Sequence, residues 1–487
     1  MEIDRLSSGD RLMLRAGARW PQHIGALVVL DGTDLFDPAG RFRVEAIRAA
    51  VEARLDRVPR FRRVLRTPRR GLGPPFWTDA ARFDVTDHVR VVAVPAPGGE
   101  PELLDVVERL RRRPLDLRRP PWEMWFLTGL PDCEVGLFVR IHHAAADGVA
   151  ALVALSAFLD APSSGASGRP ATRWRPISPP STGTLYLDNL RRKADELRTI
   201  GRAAIHPVAT AHEIARAVPA MWEVLGERPA SRTSLERFVG RDRRIALVRA
   251  SATDVRRIGR LCRATPNDVL LALTAGGVRA LLASRGEAVE DATIRVYVPV
   301  SLRRGRAKQS PAARGNAVAQ MAVPIALTGE DPVAGLRRIA AETGRRKRRP
   351  RTSLGLWFAS DVITGLLLRA VARQRVNITT ANLPGPRDAQ RLLGMRVLAV
   401  YPVVPLIANV SLGVGAVSYA GSLDIGITAD RDAFPDLEKL VAGMEAELGA
   451  LCSAAGGAWL AAGRRATARP RGLVPVVPSR GAAARGP

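Results

Sequence analysis

The sequence predicts a mixed α/β protein built from two globular halves. Strand-like and helix-like hydrophobic patterns occur on both sides of residues 161–183, a stretch rich in Pro, Gly and Ser. With 487 residues, of which 46% are apolar, the chain is long enough to bury a core in each half. We therefore expect mixed sheets and helices in both halves, with a loop-like linker between them.

These patterns predict four segments along the chain. Residues 1–160 form an N-terminal half, and residues 161–229 form a linker followed by a helical connector. The connector is helical over about 185–225 and is interrupted at His206–Pro207. Residues 230–460 form a C-terminal half. Residues 461–487 are mostly Arg, Ala, Pro and Gly, which predicts a disordered basic tail.

Within the first half, apolar and other residues alternate over 135–141, which indicates a strand that ends at His142 and His143. An apolar helix is expected next, over 148–159, so the histidine pair lies at a strand–loop–helix junction. In the second half the patterns predict a helix at 268–284. They also predict strands at 293–300 and 321–327.

The net charge of +27 favours an anionic partner such as nucleic acid, an acidic lipid surface or a phosphorylated ligand. Most of the charge is arginine spread along the whole chain. Nucleic acid is not expected as a partner, because the sequence has no nucleic-acid-binding motif and only 5% aromatic residues to stack on bases. An anionic lipid surface remains the more plausible partner.

The cysteines and the apolar stretches predict a cytoplasmic protein. Cys133, Cys262 and Cys452 lie far apart and are odd in number, which suits neither a disulfide framework nor a metal site. The first ten residues carry charges where a signal peptide needs an apolar core. The longest uncharged stretch, 397–423, contains prolines and glycines and alternates like strands. Any membrane contact should therefore be peripheral, on the inner face of the membrane or on lipid droplets.

A basic run at 345–351 precedes an apolar segment at 354–368. Such a run is usually a solvated face, and the apolar segment more often packs in a core. A basic patch beside an apolar helix also suits a membrane interface or the phosphates of coenzyme A. Both interpretations stay open at the level of sequence.

The histidine pair is the strongest candidate for chemistry. Adjacent residues of a strand point to opposite faces, so His142 and His143 cannot both face one metal ion, and no metal site is expected. One imidazole in a cavity and one in the core is the natural alternative. The cavity-facing ring can accept a proton from a hydroxyl near neutral pH. A histidine at a strand end is also commonly a structural residue.

The segment from His142 to Gly148 reads HHAAADG and matches the HHxxxDG motif of the chloramphenicol acetyltransferase-like superfamily. From Leu6 to about Glu447 the chain resembles one branch, the bacterial wax ester synthase/acyl-CoA:diacylglycerol acyltransferase family. The segments that carry the resemblance are LSSGD at 6–10, PQHIG at 21–25, PLD at 114–116, PPWE at 120–123, PNDV at 266–269, PVSLR at 299–303, GN at 315–316, NLPGP at 382–386 and SYAG at 418–421.

The resemblance implies two chloramphenicol acetyltransferase-like halves with an active-site tunnel between them. It implies a long-chain acyl transfer from acyl-CoA to diacylglycerol or a long-chain alcohol, without a metal or redox cofactor. His143 would be the general base. The further site residues that it implies are His142, Asp147, Gly148 and Asn267 for catalysis, and Asp268, Trp122, Ser301 and Arg303 for substrate binding or for shaping the site.

Two departures from the family pattern concern the substrate rather than the base: Pro121 replaces Leu, and Glu236 replaces Asn. In the PQHIG segment, Gln22 also replaces the usual Met. Two other functions therefore stay open: an acyltransferase that uses a carrier-protein thioester or a non-lipid hydroxyl, and a lipid-binding protein without activity. The bland alternative for Asn267 and Asp268 is the N-cap of the helix that follows, and both types of residue suit that position.

Overall fold

The protein is described by a computed structural model over residues 3–17, 20–21, 23–146, 151, 154–160, 174–205, 230–301, 318–329, 331–348, 376 and 378–456. These residues form two six-stranded sheets that each mix parallel and antiparallel neighbours, one two-stranded hairpin, and helices packed on the sheets. The predicted fold class, α/β with mixed sheets, is confirmed.

The first sheet carries the histidine pair. Its order is β11 (Arg391–Leu392), β12 (Met395–Val403), β1 (His23–Asp31), β6 (Glu134–His142), β5 (Trp122–Thr128) and β4 (Val89–Ala93), antiparallel except for β4 beside β5. The predicted strand at 135–141 is confirmed as β6. Both of its faces are buried, however, because helix α3 (Glu100–Arg112) packs with Phe138 on the face opposite Leu137.

All six strands of the second sheet lie within the predicted C-terminal half. Its order is β7 (Arg243–Ser251), β14 (Ser422–Asp430), β13 (Leu412–Tyr419), β10 (Ile378–Pro384), β8 (Thr293–Ser301) and β9 (Val318–Ala326), and β10 runs parallel to both of its neighbours. Its helices share one apolar core with it. They are α5 (Ala252–Cys262), α6 (Pro266–Ser284), α7 (Pro332–Arg348) and α8 (Leu437–Ala454). The predicted helix at 268–284 and strands at 293–300 and 321–327 correspond to α6, β8 and β9.

The remaining elements lie in the first half and the connector. They are α1 (Ser8–Gly17), α2 (Val44–Glu52), the hairpin of β2 (Arg63–Arg66) and β3 (Phe76–Asp79), and the connector helix α4 (Thr182–Ile205). The connector was predicted as a helix over 185–225 with a break at 206–207, and its described part is the helix α4. Residues 161–173, 206–229 and the predicted tail at 461–487 lie outside the described residues.

β12 joins the two halves. It falls within 230–460, the predicted C-terminal half, yet it pairs along β1, with Gly25 opposite Val403. At Pro402 the same strand crosses the second sheet, where a β-carbon on Gly426 would lie 2.0 Å from the Pro402 carbonyl oxygen. Only a residue without a side chain permits that approach. The halves therefore share a strand, and one boundary in the sequence does not separate them.

A buried polar joint links the halves at a second place. The backbone N–H of Arg243 in β7 donates to a carboxylate oxygen of Glu108 in α3 at 2.8 Å. Glu108 also pairs with Arg111 at 2.7 Å, and Arg243 pairs with Asp430 at 3.1 Å. Removing one partner of such a network leaves a buried charge uncompensated, so these contacts fix how α3 sits against the second sheet.

Within the described parts of the chain, no helix is both long and apolar enough to cross a membrane. Residues 345–348 of the basic run form the last turn of α7, and two of these cations have partners in the protein. Arg346 is 3% exposed and donates to the Ala322 carbonyl oxygen at 2.6 Å, and Arg345 pairs with Glu342 at 2.7 Å. Arg345 and Arg346 are thus engaged within the protein, and the lipid contact left open for the run is not tested by these contacts. The apolar segment at 354–368 lies outside the described residues.

Candidate active site

The histidine pair lies where β6 ends. His142 is the last residue of the strand, opposite His23 of β1, and only 4% of its surface is exposed. His143 begins the turn that follows and is partly exposed. The two imidazoles therefore differ in access to solvent or substrate. Asp147 and Gly148, which complete the motif, lie outside the described residues.

The hydrogen bonds of His142 fix its tautomer. The backbone N–H of Ala144 donates to Nδ1 of His142 at 3.1 Å, so Nδ1 is an acceptor and the neutral ring carries its proton on Nε2. Burial, with a smaller contribution from His143, lowers the pKa of His142 to about 4. At neutral pH His142 is therefore uncharged, which places no positive charge beside His143.

Backbone contacts hold the turn that carries His143. The N–H of Ala145 donates to the carbonyl oxygen of His142 at 2.8 Å, and the Arg60 guanidinium donates to the carbonyl oxygen of Ala145 at 3.2 Å. Ala144 packs with Leu6 and Trp77 in a small apolar cluster. Leu6 is the first residue of the LSSGD segment, so this segment packs against the histidine turn.

The rest of LSSGD is a helix-capping device. The Ser7 hydroxyl donates to the Asp10 carboxylate at 2.7 Å and accepts from the Asp10 backbone N–H at 3.1 Å. This reciprocal pattern satisfies backbone donors at the start of α1. These contacts give the segment a role in folding, and Leu6 contributes to the apolar cluster beside the histidine turn.

His23, for which no role was predicted from the sequence, is a neighbour of the site. Its ring centroid lies 6.0 Å from that of His142, and its Nε2 accepts from the Leu115 N–H at 3.4 Å. Burial first, and then Arg140 and His142, lower the pKa of His23 well below its usual range. The signal for this contact was present in the sequence, because His23 and Leu115 both belong to segments that carry the family resemblance.

Trp122 was predicted as a substrate-binding residue, and the structure places it in the core instead. It is 1% exposed, its indole N–H donates to the Phe61 carbonyl oxygen at 2.8 Å, and its ring stacks on those of Phe61 and His88. Because the side chain is buried and its one hydrogen-bond donor already has an acceptor, Trp122 cannot contact a substrate. Trp122 supports the sheet next to β6.

Asn267 and Asp268 both lie in the first turn of α6, but their surroundings differ. Thr265, not either of these two residues, is the N-cap, and Asp268 completes a capping box by accepting from the Thr265 N–H at 2.8 Å. The other oxygen of Asp268 accepts from the Thr343 hydroxyl at 2.7 Å, and Asp268 is 2% exposed. Asp268 therefore ties α6 to α7, which favours the capping interpretation that the sequence left open beside a contact with substrate.

Asn267 is different. It is partly exposed, and its amide nitrogen Nδ2 is buried without a hydrogen-bond partner among the described residues. A buried donor without a partner is costly, and a bound ligand is one way to supply the missing acceptor. No hydrogen bond or ion pair joins Asn267 to His142 within the described residues. Ser301 ends β8 opposite Val318, and Arg303 lies outside the described residues.

Two C-terminal segments share an apolar cluster with the strand that carries the histidine pair. Leu383 of the NLPGP segment and Tyr419 of the SYAG segment belong to the same apolar cluster as Ile141 and Ala145. The two segments run side by side in parallel strands, and the Gly385 N–H donates to the Ser418 carbonyl oxygen at 3.0 Å. Segments from both halves of the sequence therefore contribute to one apolar core beside β6.

A cavity of about 520 Å³ lies elsewhere, between α6, α7 and β9. Its lining includes Ala272, Gly276, Ile325 and Glu447, and none of the predicted site residues contributes to it.

Comparison with known proteins decides the family. A model described as the wax ester synthase/diacylglycerol acyltransferase catalytic domain matches residues 6–270, and the model of the corresponding C-terminal domain matches residues 314–451. The chain belongs to this WS/DGAT family. The catalytic-domain match contains His142, His143 and Asn267. The resemblance inferred from short segments of sequence is thus confirmed for most of the chain.

Curated relatives cover the WS/DGAT chain almost fully. A Mycobacterium tuberculosis protein named "probable diacyglycerol O-acyltransferase tgs1" is 31% identical over 432 residues, which are 87% of this chain and 89% of the relative. A second protein of the same organism, named "probable diacyglycerol O-acyltransferase tgs2", is 29% identical over 93% of this chain and its own full length.

Solved structures show the same fold. The wax ester synthase/diacylglycerol acyltransferase from Marinobacter aquaeolei VT8 matches with a TM-score of 0.64 at 22% identity, over 93% of this chain and 100% of that one. The first condensation domain of the CDA synthetase matches with a TM-score of 0.56 at 16% identity, over 93% and 96% of the two chains. The expected chloramphenicol acetyltransferase-like architecture of two halves is confirmed.

Proposed function

We propose that this WS/DGAT protein transfers a long-chain fatty acyl group from acyl-CoA to diacylglycerol or a long-chain alcohol, which gives triacylglycerol or wax ester. The observation that carries the proposal is the contrast within the histidine pair. His142 is buried, and its Nδ1 accepts a backbone hydrogen bond, whereas His143 is partly exposed in the next position. This arrangement supports His143 as the general base and His142 as the residue that positions it.

In the proposed reaction His143 takes the hydroxyl proton while the alcohol oxygen attacks the carbonyl carbon of the thioester. A C–O bond forms and the carbonyl electron pair moves to the oxygen. When this oxyanion collapses, the C–S bond breaks, and the protonated His143 returns its proton to the departing thiolate. The products are an ester and free coenzyme A. The step balances without a metal or a redox cofactor, so none is proposed.

The oxyanion needs a hydrogen-bond donor at the moment when charge develops, and we assign that role to Asn267. The proposal is supported by its buried amide nitrogen, which has no acceptor among the described residues. Asp147 and Gly148 are proposed to hold the geometry of the histidine turn. Exclusion of water is a further requirement, because hydrolysis of the thioester competes with transfer.

The acceptor lipids are insoluble in water, so the enzyme is proposed to work from the cytoplasm at a lipid–water boundary. The inner face of the membrane and the surface of lipid droplets are both candidates. This proposal agrees with the lack of a membrane-crossing helix among the described residues, and it requires a surface of the protein that contacts lipid.

A second candidate function is acyl transfer from a carrier-protein thioester, or to a non-lipid hydroxyl. The likeness in fold to condensation domains, at a TM-score of 0.56, favours keeping it. A third candidate is a lipid-binding protein without activity. The two names that the relatives carry favour diacylglycerol as the acceptor over both alternatives.

The test is release of free coenzyme A from palmitoyl-CoA with hexadecanol, with diacylglycerol, or with no acceptor. The proposal expects release that depends on a lipid alcohol, together with the matching ester. Release that ignores every lipid alcohol would instead favour a different hydroxyl acceptor. No release from palmitoyl-CoA, but turnover of a carrier-bound acyl thioester, would favour the second candidate.

A further inference from the structure

The connector helix α4 exposes one apolar face to solvent. Four large apolar side chains on it are between 44% and 68% exposed. We call them the apolar stripe: Tyr186, Leu187, Leu190 and Leu197. In a helix of 3.6 residues per turn they fall within a sector of roughly 100°. Single exposed apolar residues are ordinary, but a continuous sector on one helix marks a contact surface.

The opposite face of α4 is fixed to the protein. Leu185 and Asn189 are buried, and the Asn189 amide donates to the Gly71 carbonyl oxygen at 2.7 Å. Asp188 pairs with Arg5 at 2.6 Å. Because these contacts hold the helix from behind, it cannot roll over to bury the stripe against the residues that it already touches. The stripe therefore faces away from the protein as a formed surface.

Cations flank the stripe on both sides. At 100° per residue, Lys193 lies beside Tyr186 on one border, and Arg191 and Arg198 lie beside Leu187 on the other. All three are exposed. Arg198 forms an ion pair with Asp195 at 2.9 Å, whereas Arg191 and Lys193 have no acidic partner among the described residues. An apolar sector bordered by lysine and arginine is the pattern of helices that lie in the interface of an anionic membrane.

We propose that the apolar stripe of α4 docks the protein on an anionic lipid surface. The leucines and Tyr186 would enter the boundary between headgroups and acyl chains, and Arg191 and Lys193 would contact the phosphates. The choice of lipid as the partner rests on the proposed function, whose acceptors are dissolved in such a surface. A symmetric contact between two copies through this face would bring the same cations together, which disfavours a dimer.

The experiment is co-sedimentation of the full chain with vesicles of phosphatidylcholine alone or with one quarter phosphatidylglycerol, at 50 and 500 mM NaCl. The test variant is Leu187→Glu/Leu190→Glu/Leu197→Glu. The control is Phe238→Glu, because Phe238 is 68% exposed but lies outside α4. The wild type and the control should bind anionic vesicles, and more weakly at high salt. Binding of the triple variant should fall at least tenfold.

The proposal is overturned if the wild type does not bind anionic vesicles, or if the triple variant binds them as the wild type does. A change in molecular mass of the triple variant in light scattering, with vesicle binding intact, would indicate a protein partner and would also overturn it. Because the three leucines are exposed, the variant should melt at the wild-type temperature.

A second measurement covers the case in which the triple variant does not fold. In vesicles that contain brominated anionic lipid, a larger fraction of the tryptophan fluorescence should be quenched in Tyr186→Trp than in the wild type. Phe238→Trp should show no such increase. Equal quenching of both variants would overturn the proposal. Neither measurement needs turnover, so failure of the proposed activity is seen separately.

Discussion

The backbone N–H of Ala144 donates to Nδ1 of His142 at 3.1 Å, two residues along the chain and within the turn that carries His143. This one bond sets the tautomer of a buried ring and the path of the backbone through the turn. It gives His142 a defined task, which is to position its neighbour rather than to exchange protons.

The first prediction separates the shape of His142 from its hydrogen bond. His142→Asn keeps an acceptor near the position of Nδ1, whereas His142→Phe leaves the Ala144 N–H buried and unpaired. That loss should lower the free energy of unfolding by about 1–3 kcal/mol in His142→Phe. Denaturant unfolding of both variants checks this, and equal loss in the two would show that the hydrogen bond does not matter.

The second prediction concerns pH. Burial lowers the pKa of His142 to about 4, against an unfolded value near 6.5, so the unfolded chain binds more protons between these values. Stability should therefore fall as the pH falls from 6.5 to 4, by about 3 kcal/mol from this group alone. His23 and His88, whose pKa values burial also lowers, act in the same direction.

Because His23 and His88 change stability in the same direction, the contribution of His142 has to be measured as a difference between two proteins. The free energy of unfolding of the wild type minus that of His142→Asn should decrease as the solution is acidified through this window. A difference that stays constant from pH 7 to pH 4.5 would contradict the assignment of a lowered pKa to His142.

The third prediction contrasts two adjacent residues. Asn267→Ala should lower kcat by about 10²-fold, the usual cost of losing one oxyanion donor, with unfolding changed little because the Nδ2 donor has no described partner. Asp268→Ala loses the capping box and the bond to Thr343, and should cost about 1–3 kcal/mol of stability. Steady-state kinetics and thermal melts of both variants should show opposite patterns, and stability loss in Asn267→Ala would sink the assignment.

The fourth prediction tests the placement of Trp122 in the core. Trp122→Phe removes the indole N–H that bonds to the Phe61 carbonyl oxygen and leaves a smaller ring against His88. Stability should fall by about 1–3 kcal/mol. The KM for the alcohol should stay within twofold of the wild type after correction for the folded fraction. A large and selective rise in this KM would return Trp122 to the substrate site.

The strand that carries the histidine pair could be predicted because its residues alternate, and α6 because it is a long apolar helix between clear signals. The pairing of β12 with β1 in the first sheet could not be predicted. It depends on Gly426 allowing Pro402 to pass at contact distance, and that close approach appears only once both strands are placed. Spacing along one strand carries no information about which sheet it joins.

Site residues divide in the same way. The position of His142 and His143 at the end of β6 followed from the local pattern. Arg60, which holds the histidine turn through the Ala145 carbonyl oxygen, is one of 74 basic residues and had no distinguishing signal. Trp122 and Asp268 belong to segments typical of the family, and their burial shows that such segments include residues that only support the fold.

The central claim is that His143 is the general base of acyl transfer, and single-turnover ester formation tests it most directly. Radiolabelled palmitoyl-CoA is mixed with excess enzyme and hexadecanol, and His143→Ala is compared with the wild type and with His142→Asn. We expect the rate of ester formation by His143→Ala to be about 10²–10⁴-fold below that of the wild type, while the variant melts at the wild-type temperature. Ester formation by His143→Ala within threefold of the wild-type rate would contradict the account.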